Sequence, residues 1–134
     1  METDVVFAGE GMSVLVVDDN EVNTMVVASM LEQYSMLVTE VYSGKEAIEK
    51  VRHEDFDIIF MDYLMPEMNG IETTEEIRKL GKVKRPVIVA LSANAFDEDT
   101  KKSIECGMDG HLAKPINVEM LYSVLQNVLK RVEV

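Results

Sequence analysis

The chain has 134 residues, 47% hydrophobic and 28% charged, the size and balance of one domain able to bury a core. Its 25 acids outnumber 13 bases for a net charge of -12, which excludes a non-specific grip on nucleic acid or on an anionic membrane. The longest apolar run, Pro86 to Leu91, is too short for membrane insertion; the acidic METDVVFAGEG start is no secretory signal, and a lone Cys106 fits a reducing cytoplasm.

Residues 1–11 are expected to be an N-terminal tail or linker, with one domain over 12–134. The first strand, SVLVV (13–17), runs into Asp18 and Asp19. A helix over 20–34 follows, with Val27, Met30, Leu31 and Tyr34 as its core stripe. Val22, Met25 and Val26 fall toward another edge near Asp19, either as a docking patch or as the margin of a broad core face. MLVTEV (36–41) is the second strand, and Ser43 with Glu46 has the spacing of a capping box opening a helix over 44–53.

The third strand, DIIFM (57–61), is continuously apolar and ends on Asp62, a charge that is costly at a core edge unless paired. Pro66 and Gly70 supply turn chemistry, Gly70 permitting a tight approach to a helix over 70–81 that stops at Gly81. RPVIVAL (85–91) delivers Ser92, a helix over 97–107 stops at Gly107, and GHLA (110–113) delivers Lys114 and Pro115. Asn117 caps a last helix over 117–132, with Met120, Leu121, Val124, Leu125, Val128 and Leu129 as its apolar repeat. Cys106 and most of the 10 methionines read as core filler. Five strand–helix units in succession predict an α/β fold, an open parallel sheet with helices on both faces.

The polar residues fall in one place. Ligands of such sheets bind beyond the carboxyl ends of the strands, and four of the five strands deliver Asp18–Asp19, Asp62, Ser92 and Lys114 to that edge. Carboxylates gathered there would repel one another, a conflict that a hard, oxygen-liganded cation such as Mg2+ resolves. A metal, an ammonium and a hydroxyl around one carboxylate suit a phosphoryl group, which a positioned carboxylate can attack in line.

The stretches VLVVDDNEVN, FMDYLMPEMNG, ALSANA and GMDGHLAKPI, in this order at these strand ends, resemble the receiver domain of two-component response regulators. The wording is closest in style to receivers of hybrid histidine kinases. The resemblance implies a flavodoxin-like, doubly wound fold with strand order 2-1-3-4-5. It implies Asp62 as phosphoacceptor, Mg2+ (replaceable by Mn2+) held by Asp18, Asp19, Asp62 and the backbone carbonyl of Leu64, Lys114 paired with the phosphoryl group, and a cis bond between Lys114 and Pro115. Ser92 would bind a phosphoryl oxygen and reorient on phosphorylation. Its partner would be a histidine kinase or a histidine-phosphotransfer protein, meeting the edge that carries Val22, Met25 and Val26. A phosphorylation-dependent homodimer is a further expectation, and direct nucleic acid binding is not. The protein would be a signalling phosphoacceptor that catalyses only its own phosphorylation and dephosphorylation, either stand-alone or as a segment of a hybrid kinase.

Two positions depart from the family pattern. His111 stands where Tyr or Phe is usual, either as a switch partner of Ser92 or as an exposed histidine. Leu64, with Asn94 two past Ser92, flanks the path of the hydrolytic water and cannot hydrogen-bond it, so slow self-dephosphorylation is expected. A phosphatase of the haloacid-dehalogenase kind is disfavoured because it needs an Asp where Leu64 stands. A nucleotide-binding domain lacks its glycine-rich loop after the first strand. A binding module that is never phosphorylated leaves the acids and lysine unexplained.

Overall fold

The structure, a computed structural model, describes residues 11–92, 104–114 and 116–133. Five strands form one parallel sheet: β1 (Ser13–Val17), β2 (Leu37–Val41), β3 (Ile58–Asp62), β4 (Val87–Ser92) and β5 (Gly110–Ala113), in the order β2-β1-β3-β4-β5. The helices described are α1 (Glu21–Glu32), α2 (Gly44–His53), α3 (Gly70–Lys79) and α4 (Val118–Glu133). Residues 104–106 are helical too, where the 97–107 helix was expected; its earlier part, Asn94 and Pro115 with its peptide bond lie outside the described residues.

Alternation along the strands divides the core into two. Val14, Val16, Ile58 and Phe60 pack on one face with Val27 and Leu31 of α1 and with Leu121 and Leu125 of α4. Leu15, Val17, Ile59 and Met61 pack on the other with Ala47 and Val51 of α2 and with Ile77 of α3. β3 is buried along its whole length, as its unbroken apolar run requires of a central parallel strand. Each fully buried Ile or Phe there contributes about 1.5–3 kcal/mol of transfer free energy.

Local signals act with three differences from expectation. Ser43 Oγ accepts from the Glu46 amide, but the Glu46 carboxylate accepts from Tyr42 N–H instead of closing the box on Ser43. The stripe of α1 buries Thr24 and Ala28 beside Val27 and Leu31, while Met30 and Tyr34 are only partly buried against it. In α4, Leu121 and Leu125 are buried and Val124 is partly buried, but Met120 is exposed in the first turn, where Asn117 Oδ1 accepts its backbone N–H. Val128 and Leu129 lie beyond the described side chains. Gly81 and Gly107 both take positive φ (62° and 108°) after helical turns, with N–H groups bonded back to Arg78 O and Ile104 O.

Candidate functional site

Strand register assembles the site. Val17 pairs with Met61, so Asp18 emerges beside Asp62. Asp62 pairs with Leu91, putting Ser92 one step beyond, and Ser92 pairs with Ala113, putting Lys114 one step beyond again. Backbone bonds continue past the strand ends: Tyr63 N–H to Leu91 O at 2.8 Å and Lys114 N–H to Ser92 O at 2.7 Å. Each polar residue is therefore held by a ladder, not by a loose loop.

Asp18 and Asp62 are buried, Asp19 is exposed, and their carboxylate oxygens lie within 4.8 Å of one another. Lys114 Nζ donates to Asp62 Oδ1 at 2.9 Å and lies 3.2 Å from Asp18 Oδ2. Asp18 is oriented by its own helix entry: Asn20 N–H donates to Oδ1 at 3.0 Å and Asn23 Nδ2 to Oδ2 at 3.2 Å. Asn23 is the positioning residue that sequence reasoning missed. Its signal was the Asn20 cap, which begins α1 so that Asn23 sits one turn above Asp18.

Burial pushes the Asp62 carboxyl up from 3.8 to about 6; the bond from Lys114 opposes the shift and the charge of Asp18 adds to it. Burial acts to lower the Lys114 pKa, but its bond to Asp62 and the fields of Asp62 and Asp18 outweigh that and raise it. Among the described residues three carboxylates thus face one ammonium, and that deficit of two charges is what a divalent cation matches. The donor set is all oxygen, fitting Mg2+.

Residues 14–126 match the family described as the response regulator receiver domain. The chain belongs to that family. Receivers of this family are signalling phosphoacceptors of two-component and phosphorelay systems, not enzymes in the usual sense. This receiver is 38% identical over 141 residues to "Probable histidine kinase 5" of Oryza sativa subsp. japonica, which covers 90% of this chain but only 12% of the relative's length. It is similar to the crystal structure of the receiver domain of the histidine kinase CKI1 from Arabidopsis thaliana, complexed with Mg2+ and BeF3-. That likeness has a TM-score of 0.82 at 35% identity over 91% of this chain and 92% of that one. Chemotaxis response regulator CheY4 of Vibrio cholerae is similar at TM-score 0.83 and 31% identity, over 88% of this chain and 98% of that one.

Two further features of the receiver surround the acids. Ser92 is buried, and its Oγ lies 2.9 Å from His111 Nε2; His111 is half-buried there, where one of its two readings had it exposed. On α1, Val22, Met25 and Val26 are 65%, 59% and 44% exposed, which decides against a broad core face. A groove of about 200 Å³ joins that surface to the site, lined by Asp18, Asn23, Val26, Val27, Lys114 and Ile116. Leu64 is 69% exposed. No described helix is long and apolar enough to cross a membrane.

Proposed function

We propose that Asp62 of this receiver accepts a phosphoryl group from phosphohistidine of a histidine kinase or a histidine-phosphotransfer protein. The observation that carries this is a buried carboxylate bonded to Lys114 at 2.9 Å with two more carboxylates beside it. At neutral pH Asp62, with its pKa near 6, is largely ionised and able to attack phosphorus. The O–P bond to Asp62 forms as the N–P bond to the donor imidazole breaks, and that nitrogen keeps the bonding pair and takes up a proton. Asp18, Asp19, Asp62 and the Leu64 carbonyl would hold Mg2+, with Mn2+ able to replace it. The metal would supply charge neutralisation on the phosphoryl oxygens.

Lys114 is already within reach of Asp62 and would follow the charge onto the phosphoryl group, while Ser92 would donate its hydroxyl to a phosphoryl oxygen. Ser92 and His111 would form the switch. The exposed Val22, Met25 and Val26, of which Val26 lines the groove beside Asp18 and Lys114, would receive the donor protein. The receiver would catalyse only its own phosphorylation and slow dephosphorylation. We further read residues 1–11 as tail or linker to a receiver over 12–134, working in the cytoplasm, stand-alone or within a hybrid kinase. It would not bind nucleic acid directly and would dimerise on phosphorylation.

The test is to incubate wild type and Asp62→Asn with acetyl phosphate and Mg2+ and weigh the intact proteins. Wild type is expected to gain one phosphoryl group and keep it for minutes or longer. No gain on wild type, or an equal gain on the variant, overturns the assignment.

A further inference from the structure

Resting on the phosphoacceptor reading above, we propose that His111 accepts the Ser92 hydroxyl proton in the resting site and thereby sets how tightly an anion on Asp62 is held. Ser92 ends β4 and His111 is the second residue of β5, two positions back on the neighbouring strand. The Ser92 backbone is clamped, its carbonyl accepting from Lys114 N–H at 2.7 Å, so its hydroxyl is redirected by rotation about χ1 and of the O–H about the Cβ–Oγ bond. That hydroxyl is 4% exposed as a residue and lies 2.9 Å from His111 Nε2.

A serine hydroxyl carries one proton. A neutral imidazole can accept it at Nε2, whereas a phenylalanine ring in the same place offers no such acceptor. An anion bound at Asp62 must therefore draw that proton away from His111 before Ser92 can donate to it. The competition weakens anion binding by the worth of one neutral hydrogen bond, roughly two- to tenfold in affinity. His111 acts through Ser92 and is a positioning residue for the phosphoryl site. This goes beyond a switch role in which the ring merely follows Ser92, because the imidazole here opposes the serine's move.

Two measurements test it, both on the whole chain with Mg2+ at about pH 8, above the ordinary imidazole range. In long-range proton–nitrogen NMR spectra of wild type, His111 Nε2 is expected to be unprotonated and hydrogen-bonded, and to change shift when BeF3- is added. A protonated Nε2 in the resting protein overturns the proposal without any variant having to fold. In BeF3- titrations, His111→Phe is expected to bind roughly two- to tenfold more tightly than wild type. In a Ser92→Ala background the same substitution should leave affinity unchanged within about twofold. An unchanged His111→Phe affinity, or a gain that survives Ser92→Ala, overturns the proposal. Wild type that binds no BeF3- at all sinks the phosphoacceptor reading itself, a separate result.

Discussion

Asp62 is placed where a carboxylate is least comfortable, because burial disfavours its charged form. Its folded-state pKa, about 6, lies above the ordinary 3.8 because burial and Asp18 outweigh Lys114. An acid whose pKa rises on folding holds its proton longer in the folded state, so metal-free stability falls as pH climbs through that window. Asp62→Asn removes the charge and keeps the shape. In EDTA, urea denaturation should find the variant equal to wild type near pH 4 and more stable by about 1–3 kcal/mol above pH 6. A difference that stays flat from pH 4 to pH 7 would mean that ionising Asp62 costs the fold nothing. The same destabilised carboxylate is the one that a cation and a phosphoryl group can relieve, so the cost and the chemistry share one atom group.

At the scale of elements, the turn between β3 and α3 holds Asp62 in place. A Cβ on Gly70 would collide with the backbone carbonyl of Asp62, and Gly70 N–H bonds to Tyr63 O at 3.0 Å. Asn69 and Glu72 form a complete capping box at this entry, and Glu67 takes a positive φ of 68° to complete the turn. Gly70→Ala must push α3 away from the strand end. We expect it to cost about 1–3 kcal/mol in denaturant melts and to weaken BeF3- binding in parallel. Loss of stability with BeF3- affinity intact would show that the turn carries no information to the site. Gly70's close approach was legible from sequence, as were all five strands and the edge where their polar ends meet, because each depends on local composition. The Asn69–Glu72 box was equally local but overlooked. Asn23 reaching Asp18 had a local signal in the Asn20 cap, and Ser92 with His111 was one of two readings that only the strand register could place side by side. What sequence could not reveal were unsuspected contacts between distant segments. Arg78, partly buried with bonds to Gly107 O, Pro86 O and Asp109, ties α3 to the approaches of β4 and β5 across 31 residues of sequence. The exposed trio on α1 could be resolved only once Thr24 and Ala28 were seen to fill the core face.

For the whole molecule, the register of one sheet gathers three carboxylates against one ammonium in a chain already carrying a charge of -12. A cation that binds the folded state alone must then stabilise the entire domain by mass action, about 2.7 kcal/mol at a hundred times its Kd. For a domain of this size that corresponds to a rise in Tm of about 10 °C. Protons compete with the metal for Asp62, whose pKa of about 6 places the competition in an accessible range. Thermal melts with saturating Mg2+ should therefore show the full rise at pH 7.5 and a much smaller one at pH 5, with NaCl at matched ionic strength giving little at either. Asp19→Asn removes the exposed carboxylate while leaving the buried pair and Lys114 in place, and should shrink the rise at pH 7.5 by more than half. An equal rise from NaCl, or an undiminished rise in Asp19→Asn, would mean that the acids respond to screening and hold no specific ion.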